Sequence, residues 1–292
     1  MLNICKRDIN KSIESKRIDY LVNSVNNNTL LGIEIKESYN KLFNLNISHF
    51  EKKGGNSEHF DILIHHLDKT NKKCEEKGSD NYIEDTNKFI YPWENSVQRY
   101  NGIGNKFEVG KKYAKFWYEL VINTELKEKY NLKNDIPSQE EWLLKDAFAC
   151  SDPNTLFGRE LKNNYRSLHG NTSMNGKNGS PFDYREIVNP KFINDFSEHD
   201  KNTLITETQK FLDEIMNEKE CWLQTTGTID DKLNFKWYDK IESPKILDVN
   251  LEWKKGSDIY FNFITCDKKN NFRSILRFGK GTGFSNIRYD IK

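Results

Sequence analysis

Three residues in the first third of the chain have the types and spacing for hydrolytic chemistry. Asp61 lies in the run His59-Phe60-Asp61-Ile62-Leu63-Ile64, and fourteen residues later comes Glu75-Glu76-Lys77-Gly78-Ser79. Carboxylate oxygens suit a hard divalent cation. Mg²⁺ typically takes one or two protein carboxylates while keeping waters and substrate phosphate oxygens. Such an ion activates water and stabilises charge building on phosphorus, and a nearby ammonium can orient the attacking water or neutralise the phosphate. Together these are the parts of metal-dependent phosphodiester hydrolysis.

The chain must bring the three side chains to one place. Phe60, Ile62 and Ile64 alternate with Asp61, Leu63 and His65, a period of two that predicts a strand. Asp68-Lys69-Thr70-Asn71 supplies turn chemistry, and Lys72 to Gly78 reads as the returning strand of a hairpin. Alternation puts Glu75 and Lys77 on one face, and antiparallel pairing can set Asp61 beside them. A second match of similar spacing exists, Asp19 with Glu34-Ile35-Lys36 fifteen residues on. There, however, Leu31, Ile35, Tyr39 and Leu42 recur at helical spacing, so the strand, turn, strand pattern is missing. The plain alternative for the later group is a solvated charged hairpin, since short charged motifs are common in a chain that is 30% charged. His59, His65 and His66 read as surface or core-edge residues rather than ligands.

The constellation resembles the PD-(D/E)XK nuclease superfamily, to which many type II restriction endonucleases belong. Asp61 stands at the first acidic position and Glu75-Glu76-Lys77 forms the ExK triplet, while Phe60 replaces the proline of the motif. The resemblance implies a restriction endonuclease-like fold, a central mixed β-sheet flanked by helices, and Mg²⁺-dependent, site-specific cleavage of double-stranded DNA. In that frame Asp61 and Glu75 hold the metal and Lys77 assists the water. It also implies a glutamate from a preceding helix, for which Glu34 or Glu37 is in position, and a glutamine from a following helix, for which Gln98 is in position. Another nuclease of the same superfamily, acting in repair or on branched or modified DNA, is the alternative enzyme. From a different class, the alternative is a DNA-binding protein without catalysis.

The rest of the chain reads as mixed α/β. Residues 6 to 50 are expected to be helical with an interruption at Asn26 to Asn28. Further helices are expected within 92 to 125, from Glu140 to Ala149, from Thr155 to Leu168 and from Leu204 to Met216. From Lys245 the chain becomes strand-rich, with ILDVNLEW, DIYFNFITC, FRSILRFG and NIRYDIK separated by turn residues. Gly170 to Ser180 is the most loop-like segment. It divides a helical N-terminus with the catalytic core, residues 1–170, from a β-rich part, residues 171–292, that contributes to DNA recognition within the same unit.

Composition narrows the classes further. A net charge of +1 excludes binding as a simple polycation, yet Phe272 to Lys292 carries five basic residues against Asp290. Within it Arg277, Lys280 and Arg288 suit phosphate or guanine contacts, and Asn286 suits adenine readout. Arg159, Lys162 and Arg166 share one helical face that could follow a phosphate backbone. In both places a solvated basic face is the alternative. Lys280-Gly281-Thr282-Gly283 lacks the residues of a P-loop, which disfavours nucleotide hydrolysis. Five scattered cysteines indicate neither a disulfide scaffold nor a zinc site. No apolar run approaches the ~20 residues of a membrane span, and the charged start is unlike a signal peptide. The expectation is a cytoplasmic protein without membrane contact, meeting duplex DNA as a monomer or a homodimer.

Overall fold

Asparagines shape the N-terminal region of the computed structural model. Helix α1 (Lys6–Asn26) stops where the interruption was expected, and Asn28 adopts a left-handed φ of 51°, which asparagine tolerates better than most residues. Thr29 then caps helix α2 (Leu30–Phe43), its hydroxyl oxygen accepting from Gly32 N at 3.2 Å. A Cβ at Gly32 would overlap the Ser24 carbonyl, so the close crossing of the two helices requires glycine there. At the far end Asn44, also left-handed, ends α2. The expectation of helix up to residue 50 is corrected: Ile47–Lys52 is strand β1, with Ile47 and Phe50 buried. Once Asn44 has turned the chain out of the helix, the three-residue spacing of those apolar side chains is accommodated by a bulge between Ile47 and His49.

The structure describes residues 6–54, 60–79, 107–124, 126–144, 156–170, 184–227, 229, 233–267, 271–278 and 287–291.

Strands β2 (Ile62–His66) and β3 (Asn71–Ser79) form the expected antiparallel hairpin, with Ile62 opposite Cys74. Asp68 builds the turn by accepting from Thr70 N at 2.9 Å and Thr70 Oγ1 at 2.6 Å. β1 pairs antiparallel with β2. On its other edge β3 takes β4 (Cys221–Thr226) as a parallel neighbour, and β5 (Asn234–Asp239) pairs antiparallel with β4. The result is a five-stranded mixed sheet in the order β1-β2-β3-β4-β5. Ile62, Ile64, Cys74, Leu223 and Trp237 pack against Ile18, Leu21 and Val25 of α1 and Ile35 and Tyr39 of α2. Burying each large apolar side chain is worth ~1.5–3 kcal/mol, which fixes the register of the hairpin. It also commits the alternate residues of β3, Glu75 and Lys77, to the other face.

The chain divides into two compact units, residues 1–96 with 211–243 and residues 97–210 with 244–292. This division is interleaved, whereas the sequence suggested one boundary at residue 170. Its cause is the β3–β4 pair, because parallel neighbours need a long crossover rather than a turn.

The second unit holds α3 (Glu108–Trp117), which continues as a π-helical turn over Tyr118–Ile122, then α4 (Leu126–Lys129), α5 (Gln139–Leu144) and α6 (Leu156–His169). Next come α7 (Arg185–Asp195) and the first part of α8 (Glu198–Asn217), whose last turns belong to the first unit. The four strands expected after Lys245 are present as β6 (Ile246–Glu252), β7 (Ile259–Thr265), β8 (Phe272–Phe278) and β9 (Ile287–Ile291), and they form a sequential antiparallel sheet. Helix α7, which carries Pro190 inside it, has no counterpart in the sequence reading. Most of the Gly170–Ser180 segment, expected to be a loop, lies outside the described residues. Among those described, no helix is long and apolar enough to cross a membrane.

Candidate active site

Asp61 is tied to the hairpin through backbone and side chain alike. Its N–H donates to Cys74 O at 3.0 Å, and its Oδ2 accepts from Glu76 N at 3.0 Å. Continuing the β2/β3 register by one residue sets Asp61 opposite Glu75, with Lys77 two residues further along β3. The three residues singled out in the sequence are thereby brought together. Lys77 Nζ forms an ion pair with Glu75 Oε1, and the charges of Glu75 and Lys77 both act on Asp61.

Their electrostatics follow from burial. Desolvation first, and then the like charge of Glu75, push the Asp61 carboxyl up to about 7 against the opposing pull of Lys77 and the Glu76 N–H. Burial by itself would lower the pKa of Lys77. The charges of Glu75 and Asp61 outweigh it, so the net shift is upward and Lys77 is an ammonium at neutral pH. Glu14 of α1 adds negative charge that acts on both Asp61 and Lys77.

The neighbouring strand completes the cluster with residues the sequence reading missed. Lys219, just before β4, has only 2% of its side chain exposed and places Nζ 3.3 Å from Glu75 Oε2. Burial lowers its pKa, with Glu75 opposing and Lys77 adding to the effect. The parallel register sets Trp222 opposite Glu75 and Gln224 opposite Lys77. Gln224 Oε1 accepts from Tyr238 OH at 2.6 Å, and the buried Trp222 Nε1 has no partner among the described residues.

Glu76, the middle residue of the triplet, points the other way. Its carboxylate is buried against Arg17 of α1, with Nε 2.8 Å and Nη2 3.2 Å away, and it also accepts from Thr225 Oγ1. Gly78 makes room for this pair, since a Cβ there would overlap the Arg17 guanidinium. Alternate residues of β3 thus serve two purposes. Glu75 and Lys77 form the cluster, while Glu76 and Gly78 lock β3 to α1 and β4.

Other expected members are not brought to this cluster. Glu34 and Glu37 are exposed, because the helical period that buries Gly32, Ile35 and Tyr39 turns them outward. The glutamate of a preceding helix whose charge reaches the cluster is Glu14 instead. Gln98 and His59 lie outside the described residues. His65 pairs with Glu51 at 3.1 Å and stacks on His49, and His66 is hydrogen-bonded to Tyr39 OH and Thr70 Oγ1, each at 2.9 Å. In the competing match, Asp19 pairs with Lys52 and Lys36 with Asn28, so Asp19, Glu34 and Lys36 form no common site.

The donor set fits Mg²⁺. Asp61 and Glu75 offer hard oxygen donors from adjacent strands, and a divalent cation would relieve the like charge of Glu75, which adds to burial in raising the Asp61 pKa. Both Glu75 oxygens are in ion pairs with ammonium groups here, so a cation would displace or share with one of them. Among the described residues no group of three or more His, Cys, Asp or Glu side chains is arranged to hold a metal.

In the second unit the register sets Arg288 directly opposite Arg277 on the β8/β9 pair. Lys280 and Asn286 lie outside the described residues. Arg273, on the same strand as Arg277, is engaged with Asn262 at 2.8 Å and Glu252 at 3.1 Å. On α6, Arg159 and Arg166 are exposed and Lys162 is half-buried, away from the buried Phe157, Leu161 and Tyr165. That is the outward basic face read from the sequence.

Comparison with family models, with curated proteins and with solved structures finds no match in any of the three.

Proposed function

We propose that the protein is a Mg²⁺-dependent endonuclease that hydrolyses phosphodiester bonds in double-stranded DNA, in the manner of type II restriction enzymes. The observation that carries this reading is the convergence of Asp61, Glu75 and Lys77, two carboxylates and an ammonium, on one hairpin of a mixed sheet. Asp61 and Glu75 would hold the metal. Mg²⁺ held there would supply activation of water and positive charge at the phosphorus centre.

The protein's own residues do the rest. Asp61 is fixed by the Glu76 N–H, so its second oxygen is available to a cation. Lys77, kept protonated by the carboxylates around it, can orient the attacking water or neutralise a non-bridging phosphate oxygen. A protonated lysine is not the group that removes the proton from water. On the second unit, the facing Arg277 and Arg288 positions and the outer face of α6 supply cationic positions suited to a phosphate backbone.

Alanine substitution of Asp61 or Glu75 tests the assignment. Each variant should lose Mg²⁺-dependent cleavage while retaining DNA binding measured in Ca²⁺. Wild-type cleavage rates in both variants would remove these residues from the chemistry.

A further inference from the structure

Glu75 is clamped from both sides, and the two clamps differ. Lys77 belongs to the same strand, two residues along, and 15% of its side chain is exposed. Lys219 comes from a different part of the chain and is fixed by its surroundings. It follows the C-terminus of α8, where a cation is favoured by the helix dipole. Its N–H donates to Met216 O at 3.1 Å, and the next residue, Glu220, is tied to β3 twice. Glu220 N donates to Lys73 O at 2.9 Å, and Glu220 Oε2 accepts from Lys73 N at 2.8 Å. The ammonium then lies 5.0 Å from the centre of the Trp222 ring, with only 2% of the side chain exposed.

We infer that Lys219 is a positioning residue for the proposed hydrolysis, holding Glu75 through Oε2 so that Oε1 is the oxygen left to exchange between Lys77 and the cation. The inference rests on the nuclease reading above. Burial keeps Lys219 from serving as a phosphate contact, so it acts through Glu75. A free glutamate side chain has three torsions to order when it takes up a metal, and the Lys219 ion pair orders them in advance. Outer partners of metal ligands commonly change affinity or activity by about 10–100-fold when removed.

The test compares wild type with Lys219→Met and Lys219→Arg in two measurements. Calorimetric titration with Mn²⁺ reads metal binding without turnover, and steady-state cleavage with Mg²⁺ separates kcat from KM for DNA. The methionine variant should bind Mn²⁺ about 10-fold more weakly and lose at least about 10-fold in kcat with KM for DNA unchanged. The arginine variant, which keeps charge and donors, should recover most of both. If Lys219→Met does not fold, Lys219→Gln retains an N–H donor and should likewise weaken Mn²⁺ binding.

Removing a competing cation would by itself tighten metal binding. Equal or tighter Mn²⁺ affinity in the folded methionine or glutamine variant would therefore overturn the proposal, as would a loss confined to KM for DNA. Failure of the nuclease reading looks different. There the wild type leaves DNA intact in Mg²⁺ while the Mn²⁺ titrations still separate the variants, which supports the positioning of Glu75 by Lys219.

Discussion

Asp61→Asn should make the protein more stable at high pH while removing the proposed cleavage. The folded-state pKa of Asp61 is raised from 3.8 to about 7, through burial and then the charge of Glu75, with Glu14 adding to the rise and Lys77 and the Glu76 N–H opposing it. A raised carboxyl pKa means that the folded state binds the proton more tightly than the unfolded chain. Its contribution is fully present below the unfolded pKa near 4 and is lost as pH rises through the folded value near 7. A shift of that size corresponds to roughly 4 kcal/mol when complete, of which about 2.5 kcal/mol falls between pH 5 and pH 8.5. Asparagine keeps an oxygen to accept from Glu76 N and carries no charge, so it escapes the penalty. Urea unfolding of wild type and Asp61→Asn in EDTA at both pH values gives the difference for the Asp61 cluster, since titrating groups remote from it cancel between the two proteins. The variant should gain about 1–3 kcal/mol on wild type between pH 5 and pH 8.5. A difference independent of pH would refute the assignment of Asp61 as a buried carboxylate beside Glu75.

The pair beneath the cluster makes a second prediction. Arg17→Met leaves Glu76 buried without its cation and should cost about 3–5 kcal/mol in chemical denaturation. Gly78→Ala should also destabilise by pushing against the same guanidinium, and a neutral Gly78→Ala would contradict the packing. On the second unit, alanine at Arg277 or Arg288 should lower the salt dependence of duplex binding by about 0.9 in the log–log slope for each phosphate no longer neutralised. Unchanged slopes in both variants would move the DNA surface to the face of α6 that carries Arg159, Lys162 and Arg166.

The hairpin was legible because its signals are local. Period-two alternation, an Asp-Lys-Thr turn and a charged triplet all lie within twenty residues, and the core behind Ile62 and Ile64 admits only one register. The partner strand β4 was not legible. Five consecutive residues of Cys221-Trp222-Leu223-Gln224-Thr225 are buried, so the alternation that marks a half-exposed strand is absent. Lys219 was hidden with it, since nothing in the sequence ties Lys219 to Glu75 across more than 140 intervening residues. Glu34 looked suitable by distance along the chain, but helix phase decides which glutamate faces a sheet. On α1 that phase turns Arg17 and Ile18 inward and leaves Glu14 where its charge reaches Asp61.

If the hairpin cuts DNA, supercoiled plasmid will register the cut. Purified protein should convert the plasmid to nicked or linear forms in Mg²⁺, stop on addition of EDTA, and leave it supercoiled when Lys77 is replaced by alanine in a protein that still folds and binds DNA. Plasmid left intact by the wild type in Mg²⁺, or cut equally well by Lys77→Ala, would mean that the hairpin does not cut DNA.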